Sequence, residues 1–341
     1  SSFTPFKEKM EQAGVSEAAI LSFERNYNIL QAGSSTDITE ASIAPVASLP
    51  ELGDIYKEGE AFDPELLAKT VVIKLNGGLG TSMGLQKAKS LLEVKEGATF
   101  LDIIVDQVSY LRESTGAQVK FLLMNSFSTS ADTLDHLSQY ADRGFATKEE
   151  VELHQNQIPK INADTMGPVE HPENPDLEWC PPGHGDLYAA LAGSGWLDKL
   201  LADGVKYAFV SNSDNLGAVL DAGLLRYFSE SDQPFLMEAT RRTEADKKGG
   251  HLAVRKSDSQ LLLREVAQCA EVDLEHFQNI DRHQFFNTNS LWIRLDVLKE
   301  LLDQENGVLP LPMIQNKKTV DPRDKASTAV YQLEIAMGAA I

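Results

Sequence analysis

Two residues in this sequence have the type and position to handle phosphate. Asp214 lies in Ser211-Asn-Ser-Asp-Asn-Leu-Gly217, at the end of an apolar run, and Lys89 follows a glycine-rich turn that begins at Lys74. Open α/β sheets bind ligands where such strands end. A magnesium ion favours one or two carboxylates together with phosphate oxygens, and a cation just past a phosphate turn neutralises charge there. The turn itself, KLNGGLGTSMG, brings Gly77, Gly78, Gly80 and Gly84 together, where backbone can approach a ligand closely and successive N–H groups suit phosphate oxygens. It is not a Walker A loop, because Gly84 is followed by Leu85, and it is not a dinucleotide fingerprint, because GxGxxG counted from Gly78 meets Met83. Lys87 adds a second cation beside Lys89.

Further segments carry chemistry more ambiguously. Pro181-Pro182-Gly183-His184-Gly185-Asp186 holds a histidine between glycines, where the ring is free to reach a ligand; Trp179 before it suits core packing or a substrate platform. Gly249-Gly250 follows Lys247 and Lys248, and Phe286-Asn-Thr-Asn289 offers amides fit for sugar hydroxyls or simply a turn. Each has a plain alternative: an Asn/Asp-rich turn at Asp214, surface lysines at Lys87 and Lys89, and a structural or exposed His184.

The elements that must position these residues read as an α/β domain. Ser16 caps a surface helix with apolar Ile20, Phe23, Tyr27 and Leu30 at helical spacing. From Ala32 to Pro64 the composition turns to Ser, Thr, Ala, Pro and acidic residues, which predicts an extended connection. Residues 1–69 therefore form an N-terminal helical and extended segment, and residues 70–341 the main domain. Its opening is a strand over Thr70 to Asn76, the glycine turn, a helix over Phe100 to Ser114 and a strand over Val119 to Asn125, the start of a largely parallel sheet. Tyr207 to Asn212 and Pro234 to Thr240 extend the sheet, while Asp296 to Asp303 and Ala329 to Ile341 read as helical.

Composition limits the partners. The 341 residues carry a formal net charge of −20, which argues against broad nucleic-acid binding, since phosphate backbones are held by surplus Lys and Arg. A pocket can still concentrate a few cations. No stretch approaches the roughly 20 apolar residues of a membrane helix, and the opening SSFTPFKEKM has no signal core. Two cysteines, Cys180 and Cys269, read as free thiols in a reducing cytoplasm.

Taken together, KLNGGLGTSMG, LMNSF, the Gln155 and Pro159 of HQNQIPKI, PPGHGD, SNSDNLG, ADKKGG, REVAQ, FNTNSLW and QLEIAMGAAI resemble the UDP-glucose pyrophosphorylase family, the UTP:glucose-1-phosphate uridylyltransferases of eukaryotic type. The resemblance runs from Lys74 to Ile341. The UDP-N-acetylhexosamine pyrophosphorylases are similar but carry GTRLG, so GTSMG favours glucose 1-phosphate over the broader UDP-sugar or hexosamine alternatives. The resemblance implies a twisted mixed sheet flanked by helices, of the sugar-nucleotidyltransferase, Rossmann-like type. It further implies uridylyl transfer from UTP to glucose 1-phosphate with Mg2+, giving UDP-glucose and pyrophosphate. Carried over residue by residue, Leu75, Gly77, Gly78, Met124, Gln155 and Gly183 line the uracil, and Lys89 meets the UTP phosphates. Asp214 holds the metal, Asn212 and His184 lie near the sugar phosphate, and Gly250, Glu265, Asn287 and Asn289 match the sugar side. The family often has Cys-Lys-Gly-Pro where this chain has Leu85, Gln86, Lys87 and Ala88. Family members also continue past GAAI with a further phosphate-contacting lysine and a carboxy-terminal β-helix; with this sequence ending at Ile341, the resemblance implies either a fragment of a longer protein or a chain that has lost that lysine. A non-catalytic UTP or UDP-sugar binding module is the reading from a different class.

Overall fold

Thr70–Asn76 is buried along its whole length, the pattern of a strand with covered faces on both sides of a parallel sheet. In the computed structural model, which describes residues 2–80, 86–145 and 147–341, it pairs in parallel with Tyr207–Asn212 on one side and Lys120–Asn125 on the other. Residues 81–85, the end of the glycine turn, lie outside the described residues. Glu152–His154 adds in parallel to Lys120–Asn125, and Phe285–Arg294 adds antiparallel to Tyr207–Asn212. Among the described residues these strands belong to a nine-stranded mixed sheet, with His251–Arg255 and Ile43–Ala44 beyond Phe285–Arg294.

Alternation along the strands builds a core on each face. Val71, Ile73, Leu122, Ala208 and Val210 point to the side covered by the helices Leu187–Gly193, Trp196–Ala202 and Leu295–Gln304. Val72, Phe121, Leu123 and Phe209 point to the side covered by Phe100–Thr115 and Ala222–Glu230. Thr99 and Asp102 form a capping box that starts Phe100–Thr115, and Gly116, at φ 72°, ends it in the left-handed conformation that L side chains resist. The amino-terminal helix Glu17–Gln31 is capped by Ser16, whose hydroxyl accepts from the Ala19 N–H. Its apolar face packs with Phe6 and Met10 against Ile158, Ile161, Met313 and Leu333.

Three sequence expectations are corrected. The stretch from Ala32 to Pro64 is more than a connection. Ile43–Ala44 pairs with His251–Arg255, and Glu40 is buried, accepting from Arg264 at 2.7 Å, Arg282 at 2.6 Å and His283 at 2.9 Å. A two-residue strand and one carboxylate leave no periodic trace. The segment Ala329 to Ile341 is not helical: Ala329–Ile335 is a strand antiparallel to Met313–Thr319, followed by the single 3-10 turn Met337–Ala340. Its small residues serve close packing, since a β-carbon at Gly338 would sit 2.6 Å from Met237 Cε. Phe286 to Asn289 is not a simple turn either but part of the ten-residue strand Phe285–Arg294, whose partner Phe235–Arg241 shifts register between Glu238 and Ala239. The run Pro234 to Thr240 thus extends the sheet antiparallel.

Glu40 holds its carboxyl at about 2: desolvation opposes ionisation, but the hydrogen bonds from Arg282, His283 and Arg264 outweigh it. Replacing Glu40 by Leu leaves the fully buried Arg264 guanidinium without this partner. Breaking such a pair costs about 3–5 kcal/mol. Urea unfolding of Glu40→Leu is expected to show a loss of that size, and a variant as stable as the wild type would remove the ion cluster from the account of stability.

Candidate functional site

Parallel pairing places Asn212, Leu75 and Met124 side by side at the carboxyl ends of three adjacent strands, all on the face shared with Ile73 and Leu122. The chain leaves these strands into loops that converge above them. Ser126 Oγ donates to Gly77 O at 2.9 Å, joining the first two loops. Gln155 enters between them: a β-carbon at Gly77 would lie 2.5 Å from Gln155 Oε1, and Gln155 Nε2 donates to Gly183 O at 3.1 Å. Only glycine fits both places. Gly183 has φ 82°, and its β-carbon would meet the Ile335 carbonyl oxygen at 2.6 Å. At Gly185 the same oxygen would lie 2.7 Å away. Asp186, buried, accepts from the Asn156 N–H at 2.7 Å and so ties this loop to the strand end beside Gln155. Leu75, Gly77, Gly78, Met124, Gln155 and Gly183 therefore form one contiguous group.

Lys89 reaches the same edge because residues 87–89 fold back over the glycine turn. Gly80 N–H donates to Lys87 O at 2.9 Å and Lys89 N–H to Gly78 O at 3.1 Å. Lys89 Cδ and Cε lie 3.8 Å from where a Gly78 β-carbon would be, and its Nζ is 3.9 Å from Asp214 Oδ2. The two side chains are 46% and 39% exposed, so the pair is screened by water and contributes about 1 kcal/mol at most. Each is free to turn to a ligand. Lys87 contributes its carbonyl to the turn while its side chain is exposed. Among the described residues no three His, Cys, Asp or Glu side chains group as a metal cage. One open carboxylate fits magnesium carried on phosphate oxygens, a cation that keeps most of its ligands as water and phosphate.

On the other side of Asp214, Asn289 Nδ2 donates to Asn212 Oδ1 at 2.9 Å and Asn287 Oδ1 accepts from the Asn289 N–H at 2.8 Å. Asn289 adopts φ 58°, and its Oδ1 is buried without a hydrogen-bond partner among the described residues. Asn287 N–H donates to Gly250 O at 3.1 Å, and Gly250 lies against the Glu265 carboxylate, 2.8 Å from where its β-carbon would be. Burial raises the pKa of Glu265. Asn212, Gly250, Glu265, Asn287 and Asn289 are thus a second contiguous group. His184 is not a free ring: its Nδ1 accepts from the Met337 N–H at 2.9 Å, and desolvation lowers its pKa to about 4. Near neutral pH it is an uncharged ring with the proton on Nε2, a donor rather than a cation. Trp179 packs in the amino-terminal cluster, with Lys9 Nζ 5.5 Å from its ring centroid.

The sequence reading gave no role to Lys74. The side chain is buried, donating to Ser211 Oγ and Ala218 O, both at 2.8 Å. Its one signal is a lysine inside an apolar strand. It braces the start and end of the Asp214 loop.

Comparison with known proteins gives a consistent picture. A family model described as UTP--glucose-1-phosphate uridylyltransferase matches residues 21–341. The Saccharomyces cerevisiae UTP--glucose-1-phosphate uridylyltransferase is 44% identical over 276 residues, covering 81% of this chain and 54% of that protein. The chain spans about half the length of the curated relatives it matches. A Leishmania major UDP-glucose pyrophosphorylase variant solved in complex with UDP-glucose superposes with TM-score 0.93 at 49% identity, covering 100% of this chain and 73% of that one. A Trypanosoma brucei structure named UDP-glucose phosphorylase does so with TM-score 0.93 at 50% identity, covering 99% and 72%.

The buried lysine sets a pH test. Desolvation lowers the Lys74 pKa to about 8, opposed by the Glu238 carboxylate. Between pH 8 and the usual lysine value of roughly 10.4 the unfolded chain holds a proton that the folded chain has released, so this group's contribution to stability rises with pH. Relative to Lys74→Met, wild-type stability is expected to gain up to about 3 kcal/mol across that window, measured by urea unfolding. A difference that stays constant with pH would mean Lys74 is charged in the folded protein throughout.

Proposed function

We propose, from the premise that this chain belongs to the UTP–glucose-1-phosphate uridylyltransferase family, that its cleft transfers the uridylyl group of UTP to glucose 1-phosphate, releasing pyrophosphate. The observation that carries this reading is the placement of Lys89 Nζ 3.9 Å from Asp214 Oδ2, beside the Gly78 backbone and between the two contiguous groups. A uridylyl transfer needs that arrangement. The attacking phosphate oxygen is already an anion, so little acid–base work is required. The barrier lies in bringing two polyanions together in line with the departing pyrophosphate.

In this reading the uracil lies over Leu75 and Met124, its edge against Gln155 and the backbone of Gly77, Gly78 and Gly183. Lys89 binds the phosphates and neutralises charge on them. Asp214 would hold magnesium, which supplies charge neutralisation at the phosphates when bound. Asn212 and the neutral His184 donate toward the sugar phosphate. Asn287, Asn289, Glu265 and the Gly250 backbone receive the glucose hydroxyls. Asn289 Oδ1, without a partner among the described residues, supports this, because a hydroxyl there would satisfy a buried acceptor.

Pyrophosphate release on mixing the protein with UTP, glucose 1-phosphate and magnesium tests the reaction, and UTP binding without release would leave a binding module. ATP in place of UTP is expected to give far lower turnover, and comparable turnover would refute the base pocket. Lys89→Ala is expected to lower turnover about 10- to 100-fold, the loss of a charge-assisted contact, with an unchanged melting temperature. Asp214→Asn should shift the magnesium titration to higher concentration as well as lower the rate, because an amide oxygen brings no charge to the cation. An unchanged titration would remove Asp214 as the metal ligand.

A further inference from the structure

Behind the Lys89–Asp214 pair, on the opposite face of the same strand ends, runs a line of buried polar side chains with no role in the reading above. Ser213 Oγ donates to Asn76 Oδ1 at 3.2 Å, and Asn76 Nδ2 donates to Asn125 Oδ1 at 2.7 Å and to Thr133 Oγ1 at 3.0 Å. Asn125 Nδ2 donates in turn to Glu152 Oε2 at 2.8 Å, which also accepts from Ser130 Oγ at 2.6 Å. Ser213, Asn76, Asn125 and Glu152 are all buried. The bonds from Ser213 to Glu152 all run donor to acceptor toward the one carboxylate, so the orientation of each amide is fixed by the charge at the end of the line.

The line joins the loops that matter. Asn76 immediately precedes Gly77 and Gly78, Asn125 precedes the Ser126 that holds Gly77 O, and Ser213 immediately precedes Asp214. Ser213 N–H also donates to Leu75 O at 3.1 Å, so the Asp214 turn is attached at both backbone and side chain to the strand that carries the glycine turn. We infer that Ser213 and Asn76 are positioning residues whose buried hydrogen bond sets the spacing between the nucleotide-holding glycine turn and the Asp214 carboxylate. The inference rests on the UTP reading above. Nucleotide alone uses mainly the glycine-turn side. Asp214, which would hold magnesium beside the nucleotide phosphates, depends on the spacing between the two sides.

The test is therefore the gain in UTP affinity that magnesium brings, read by titration calorimetry on the intact protein. Ser213→Ala is expected to bind UTP without magnesium as the wild type does, while the magnesium-dependent gain falls about tenfold, the worth of one buried hydrogen bond. Thr133→Val removes another bond of Asn76, to the helix Ser130–Leu137 rather than to the Asp214 turn, and should lower the melting temperature while keeping the wild-type gain. If Ser213→Ala does not fold by circular dichroism, Ser213→Cys, of similar shape but a weak donor, carries the same expectation. A wild-type gain in the Ser213 variant, or an equal loss in Thr133→Val, overturns the positioning role while leaving the UTP reading intact. A wild-type protein that does not bind UTP refutes that reading and this inference together.

Discussion

The parallel register of three strands is the constraint on which the rest of the site depends. Backbone hydrogen bonds align Leu75 with Asn212 on one side and Met124 on the other, so three loops of unrelated sequence start from one line. Because side chains alternate with a period of two, the same register gives the strand ends two characters. Leu75, Met124 and Asn212 face the cleft side, and Lys74, Asn76, Asn125 and Ser211 face the opposite side, where they find one another. A slip of one residue would put the polar support on the cleft side and bury the apolar floor of the cleft behind it.

Electrostatics follow the same division. The chain as a whole carries −20, yet the cleft edge presents the half-exposed ammonium of Lys89. Overall charge sets long-range repulsion, whereas the affinity for a small anion is decided by groups within a few ångströms. The charged groups behind the cleft are handled differently: Lys74 is held by uncharged acceptors with its proton loosened, and Glu152 accepts hydrogen bonds from Asn125 and Ser130. The charges of Lys89 and Asp214 are left wet, and the charges that hold shape are buried and bonded.

Much of this was legible in the sequence. The strands Thr70–Asn76 and Tyr207–Asn212 have the bounds that their apolar runs indicate, and the helix Phe100–Thr115 extends its expected span by a single residue. The grouping of Gln155 with Gly77 and Gly183 came through resemblance, since 78 residues separate Gly77 from Gln155 and no local pattern links them. What escaped was long-range. The pairing of Ile43–Ala44 with the sheet and the Glu40 cluster depend on partners more than 200 residues away. The strand at Ala329–Ile335 was hidden by a tail of small residues that read as helix former, because propensity carries no information about a neighbour pressing on Gly338. Ser213 and Asn125 look like turn residues until their side chains are seen to meet.

Gly183 and Gly185 both press on the carbonyl of Ile335, and His184 between them takes the Met337 N–H. About 150 residues separate the two segments, so this wall of the cleft has no local way to reach its final shape. During synthesis the parallel strands and their helices can pair as they emerge, but the Gly183 loop has to wait until the strand Ala329–Ile335 leaves the ribosome and docks. The floor strands, which end at Asn125 and Asn212, leave the ribosome well before Ile335 does. The cleft is therefore assembled in two stages, floor first and wall last, and a nascent chain halted before residue 335 would carry the glycine turn, Lys89 and Asp214 without the surface that closes over them.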